Sequence, residues 1–289
     1  MSASRKRTRF SAALAALGSL IVLAGCSAKD AFAFGWPKGI TPQAEQMYNL
    51  WIGSVVAALV VGVFVWGLIF WCVVRYRKKN EDLPPQTRYN MPIEVLYTVI
   101  PFLIIAVLFY YTAIVQTYVN KESPRADVTV EVVAFKWNWQ FRYQGVEDPS
   151  GATVAETGTS TYVPVLVVPT GRTIKFVETS KDVIHSFWVP ELLFKRDVMP
   201  GYENRFEVTV NQQGEYVGRC AELCGTYHSM MNFELRAVSP EKYDKFLTLR
   251  SGGMSTPEAL GEIGYQGKER YAITTKPFDT KRDAARDQK

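Results

Sequence analysis

Two stretches of this 289-residue chain carry no charged side chain: residues 46–74 (QMYNLWIGSVVAALVVGVFVWGLIFWCVV) and residues 95–120 (VLYTVIPFLIIAVLFYYTAIVQTYVN). Each exceeds the ~20 apolar residues that cross a hydrocarbon layer. A soluble helix of that length would show a polar face. Lipid offers no partner for backbone N–H and C=O groups, so such spans must be helical. Membrane helices are therefore predicted at 46–74 and 93–120, the second bent at Pro101. The intervening loop, 75–92, carries Arg75, Arg77, Lys78, Lys79 and Arg88 against Glu81 and Asp82. Basic residues in a short loop mark the cytoplasmic side. The hairpin runs out–in–out, and the chain beyond residue 120 is exported.

The N-terminus agrees. MSASRKRTRF is basic, and SAALAALGSLIVLAGC is a short apolar run ending in small residues, the layout of a secretory signal at 1–25. LAGC resembles the bacterial lipobox, which makes Cys26 a candidate lipidation site; a plain signal peptide is the alternative. Residues 26–45 are then an exported N-terminal segment. Glu94 sits at the cytoplasmic start of the second span. An ionisable group there is a functional candidate, and equally a helix-start cap, where negative charge is favoured. Cys72, in the first span, reads as a small apolar residue.

After residue 127 the period changes to two. VTVEVV, TIKFVE, RFEVTV and FELRAV alternate apolar and polar, VLVV is a buried-strand run, and turn signals separate them. An antiparallel all-β sandwich or barrel is predicted over 125–245. Residues 145–162 are small and polar, a long loop or hairpin insertion. PEKYDKFLTL reads as a short helix, and 246–289 as a charged tail that buries little. Between 126 and 240 there are 10 Lys/Arg and 14 Asp/Glu. An acidic exported domain suits a basic partner protein better than nucleic acid.

Residues 220–231 read CAELCGTYHSMM and hold two of the four cysteines and one of the two histidines. A disulfide would suit the exported compartment but leaves His228 and Met231 without a role. Structural zinc prefers C-x2-C pairs and does not use methionine. Thiolate, imidazole and thioether on a β-sandwich loop are the donors of copper electron-transfer sites. The other histidine, His185, stands between two predicted strands. Two thiolates can each bridge two metals, with one histidine per metal, so the second cysteine points to a dinuclear copper centre.

From the first span to about residue 245 the sequence resembles subunit II of haem–copper cytochrome c oxidases. The signature C-A-E-L-C-G-x-x-H-x-x-M lies at 220–231, DVIHSFWVP resembles the family's histidine segment, IEVLYTVIP its glutamate segment, and FKWNWQF its tryptophan-rich strand. The resemblance implies a two-helix transmembrane hairpin followed by a cupredoxin-like domain. It implies that Cys220, Cys224, His185, His228, Met231 and the backbone oxygen of Glu222 hold two copper ions, the CuA centre. The Glu222 side chain would bind magnesium or manganese at the border with the catalytic subunit, and Asp197 is similar to an aspartate near that border. Trp137 is similar to the electron-entry residue, although Asn138 stands where the family often has an aromatic. Glu94 is similar to the glutamate at the mouth of a proton-uptake path. Asp182, Glu178 and Glu191 are candidates for docking a basic cytochrome c, or a solvated rim. The implied partners are subunits I and III, with haems on the partner subunit, and cytochrome c or a cytochrome c domain of a bc1 complex. The lipobox, insertion and tail resemble bacterial, actinobacterial versions.

The function this implies is electron transfer: CuA is reduced by cytochrome c and passes electrons to haem of the catalytic subunit, where oxygen is reduced and protons are translocated. A quinol oxidase subunit would lack the copper ligands. A copper-delivery protein would need neither Glu94 nor the full loop. Nitrous oxide reductase would need a further catalytic domain.

Overall fold

The computed structural model describes residues 35–81, 83 and 85–275; Cys26 and the signal segment lie outside them. Helix α1 spans Pro42–Arg75 and α2 spans Met91–Val119. Both begin with a capping side chain followed by proline in the first turn, where its missing N–H costs nothing. Thr41 Oγ1 accepts from Ala44 N at 2.9 Å. At α2, Asn90 Oδ1 accepts from Ile93 N at 3.4 Å while Glu94 Oε1 accepts from Asn90 N at 2.9 Å. Glu94 therefore caps its own helix. Helix α2 continues through Pro101, although that residue has no N–H to offer the turn before it. Both helices leave large apolar side chains such as Phe64, Trp71, Phe102 and Phe109 exposed, a surface that requires lipid or protein around it. The chain is a membrane protein with a folded domain attached.

That domain is a sandwich of two five-stranded sheets. One holds β1 (Val128–Phe135), β2 (Asn138–Glu147), β3 (Thr153–Thr157), β5 (Thr173–Ser180) and β8 (Asn204–Thr209), in the order β3-β2-β1-β5-β8. The other holds β4 (Val165–Pro169), β6 (His185–Val189), β7 (Phe194–Val198), β9 (Gly214–Cys220) and β10 (Asn232–Val238), in the order β4-β10-β9-β6-β7. The sheets are mixed rather than purely antiparallel, because β1 pairs with β5 and β4 with β10 in parallel. Strand alternation reports which face is buried but not which way a neighbour runs. The insertion at 145–162 is a hairpin, with β2 returning as β3.

Aromatic side chains fill the space between the sheets. Phe187 stacks on Phe233 at 4.8 Å, and Trp139 meets Phe233 edge-on at 5.4 Å. Where the helices arrive, Ile40 N donates to Glu191 O at 3.0 Å, Arg196 Nη2 donates to Asn120 Oδ1 at 2.8 Å, and Ser123 N donates to Glu207 Oε2 at 2.8 Å. The beginning of α1 and the end of α2 thus meet the sandwich through hydrogen bonds, not through a free linker.

The expectation that residues beyond 246 bury little fails for 246–275. Helices α3 (Pro240–Ser251) and α4 (Thr256–Glu262) bury Tyr243, Phe246, Ala259 and Leu260 against the sandwich. Two buried carboxylates fasten them. Glu156 accepts from Tyr162 Oη and Thr256 Oγ1. Glu234 pairs with fully buried Arg236 and also accepts from Ile273 N at 2.7 Å and Thr274 N at 3.0 Å.

Candidate metal centre

Strand pairing brings the distant histidine to the cysteine loop. Strand β6 runs antiparallel beside β9 with Phe187 opposite Cys220, so His185, two residues earlier, lies beside the strand end that carries the cysteine. The loop 221–231 is closed at its base, Cys220 N donating to Met231 O at 3.1 Å, and tied to β6, Ala221 N donating to Ser186 O at 3.0 Å.

Six candidate donors converge there. Cys220 Sγ lies 3.8 Å from His185 Nδ1 and 3.3 Å from the Glu222 carbonyl oxygen. Cys224 Sγ lies 3.6 Å from His228 Nδ1 and 3.9 Å from Met231 Sδ. The two sulfurs are 3.8 Å apart, and both thiols are free. Each sulfur thus has one imidazole and one weaker donor at its side. Cys220, Cys224, His185 and Met231 are buried, so the site is largely dry.

The electrostatics favour a cation. Burial pushes the Cys220 thiol up, but hydrogen bonding with His185 and the loop backbone outweighs it, and its pKa falls to about 7. Cys224 is pushed up to about 12, first by burial and then by the Cys220 charge. Two adjacent thiolates repel each other unless positive charge lies between them. His185 is lowered by burial, yet Cys220 and Asp182 raise it overall.

Asp182, expected on a docking rim, instead faces His185 Nε2 at 2.9 Å. It also accepts from Lys136 N at 2.7 Å and Val183 N at 2.7 Å. A carboxylate on the outer nitrogen of a ligating histidine is the usual device for fixing its tautomer. The D-x-x-H spacing in DVIH was the available signal. Glu178, a second rim candidate, is fully buried, and Glu191 has one carboxylate oxygen enclosed. Glu178 therefore cannot serve as an open docking charge.

Trp137 occupies the turn between β1 and β2 rather than a strand, so it and Trp139 do not simply alternate faces. It is half-buried, its Nε1 donates to Cys224 O at 3.1 Å, and Tyr227 packs edge-on at 4.9 Å. Trp139 is a core residue whose Nε1 donates to Met231 O at 3.3 Å. Gly225 takes φ +118, and a Cβ there would stand 3.3 Å from the Trp137 ring. Among the described residues, Glu222 joins no group of three histidine, cysteine or carboxylate donors. Asp197 lies opposite Ser186 in β7. Glu94 is at the far end of α2 from the sandwich, roughly 40 Å along a helix of this length.

A family model described as cytochrome c oxidase subunit II, periplasmic domain, matches residues 128–238, and one described as its transmembrane domain matches 30–115. A "Probable cytochrome c oxidase subunit 2" of Nocardia farcinica is 45% identical, over 91% of this chain and 85% of the relative. The cytochrome c oxidase subunit 2 of Mycobacterium tuberculosis is 44% identical, over 93% and 89%. The corresponding protein of Corynebacterium diphtheriae is 37% identical, over 94% of each chain.

Proposed function

The chain belongs to the cytochrome c oxidase subunit II family, and from that premise we propose that its sandwich holds a dinuclear copper centre. With copper bound, the chain would carry electrons from a c-type cytochrome to haem on the catalytic subunit, where oxygen is reduced and protons are translocated. One observation carries the reading: two free thiols side by side, each flanked by one imidazole Nδ1 and one weak donor. Soft sulfur with imidazole selects copper, and the methionine argues against structural zinc. The residues fit the group, and when bound it supplies reversible one-electron storage shared over two metals.

The chain's own residues perform the supporting tasks. Cys220 and Cys224 with their thiolates, His185 and His228 with one nitrogen each, and Met231 and the Glu222 carbonyl would hold the two copper ions. Asp182 holds His185 with Nδ1 inward. The aromatic core beneath excludes water, so little solvent reorganises around the centre. Trp137, hydrogen-bonded to the carbonyl of a ligating cysteine, is the electron entry. The Glu222 side chain takes a magnesium or manganese ion at the border with subunit I. Glu94 stands at the mouth of a proton-uptake path. Subunits I and III cover the hairpin, and Cys26 carries a lipid anchor.

Copper content of the purified chain tests this. Two copper ions per chain in the native protein, falling to at most one in Cys220→Ser, is the expected result; one copper per native chain contradicts it.

A further inference from the structure

The acidic surplus of the exported domain is largely inside it. Four of the fourteen carboxylates between 126 and 240, Glu156, Glu178, Glu207 and Glu234, are buried, as is one of the ten cations, Arg236. Nine cations and ten carboxylates remain outside the core. The surface that a docking partner touches is thus less acidic than the sequence count suggests.

The local balance at the entry tryptophan goes further. A notch of about 250 Å³ opens beside Trp137, lined also by Lys136, Asn138, Thr159, Ser160 and Tyr227. One wall comes from the insertion and is held firmly. Asn138 Nδ2 donates to Thr159 O at 2.8 Å, and Gly158 N donates to Trp139 O at 3.0 Å. A Cβ on Gly158 would fall 1.8 Å from Asn138 Oδ1, so only glycine lets the wall seat on this asparagine. Asn138, where the family often has an aromatic, and the insertion therefore form one unit. Lys136 is the single charged residue lining the notch. Lys181, whose N–H donates to Ala134 O at 2.9 Å, is exposed at the same end of β1. Among the described residues neither ammonium has an ion-pair partner. The nearby carboxylate, Asp182, has its oxygens committed to Lys136 N, Val183 N and His185.

We infer that the notch receives an electron-donor protein whose haem-exposing edge bears carboxylates, and that Lys136 is the contact selecting for it. This rests on the reading of Trp137 as the electron entry. Aromatic walls, polar rims and two ammonium groups, Lys136 and Lys181, against the single carboxylate of Asp182 favour an anionic edge over a lysine-ringed one, because like charges facing each other oppose docking.

The test uses the assembled oxidase and two c-type cytochromes of matched potential, one basic and one acidic, following CuA reduction in stopped flow at low and high salt. The acidic donor should be faster at low salt, lose that advantage at high salt, and slow by about tenfold or more with Lys136→Glu, while Lys136→Arg keeps the native rate. A faster basic donor in the native enzyme overturns the inference. So do equal rates that ignore Lys136→Glu, which would mean that something else occupies the notch. Trp137→Phe separates the two levels. Donors indifferent to it overturn the entry reading itself; donors that respond to it but not to Lys136→Glu overturn only the acidic edge.

Discussion

Asp182 Oδ1 and His185 Nε2 are 2.9 Å apart, and the carboxylate is held below its ordinary range because the hydrogen bonds it accepts outweigh its partial burial. An ionised carboxylate can only accept, so Nε2 carries a proton, and in the neutral imidazole Nδ1 then keeps its lone pair toward Cys220. Removing the charge at constant shape should therefore weaken the centre. Asp182→Asn is expected to lower copper affinity by roughly 10–100-fold, read by competition with a chelator. Unchanged affinity would mean that the loop alone orients the imidazole.

Glycine at 225 serves two needs at once, a positive φ and close passage of the loop under Trp137. Gly225→Ala should cost about 1–3 kcal/mol of backbone strain and displace the indole. Slower CuA reduction by donor, with copper still bound, is the expected result; a native rate would show that the indole position is set elsewhere.

Glu178 is enclosed with neither oxygen partnered among the described residues. Burial pushes its pKa well up; Arg196 opposes this and Asp197 adds to it. The folded state thus holds this proton more tightly than the unfolded chain, whose glutamate titrates near ~4.3. The stabilisation is full below that pH and is lost as pH rises through the folded value. Glu178→Gln should flatten this decline, making the variant gain on the native protein as pH rises above about 5. Thermal unfolding across pH would show it, and parallel curves would count against the buried acid.

The C-terminal helices should be integral to the domain. Thr256→Val leaves a buried Glu156 oxygen short of a donor, which costs about 1–3 kcal/mol. Truncation after residue 251 should do more, uncovering both Glu156 and the Glu234–Arg236 pair. Denaturant unfolding of the two variants orders the losses; a truncated chain as stable as the native one would refute the role.

Much of the fold is legible in the sequence because the relevant constraints are strict. A bilayer admits only long uncharged helices, so 46–74 and 93–120 stand out, against helices at 42–75 and 91–119. The convergence of the candidate donors is legible because cysteine and histidine are scarce here and cluster. Parity even contains the fate of Glu178. In TIKFVETS, Ile174, Phe176, Glu178 and Ser180 share one face, and that face is buried. Its charge points to the rim and its period to the core, and the period prevails. The parallel pairs are hidden because alternation carries no direction. The packing of α4 is hidden because so short a helix shows too little period, and Thr256, Ala259 and Leu260 find their burial only against the sandwich.

The most direct measurement is an electron spin resonance spectrum of the purified chain loaded with copper, kept intact through residue 275 because that segment belongs to the core. Hyperfine coupling shared equally by two copper nuclei is the predicted result, collapsing to a single-copper pattern in Cys220→Ser. A single-copper spectrum in the native chain would contradict the dinuclear centre and the electron-transfer function built on it.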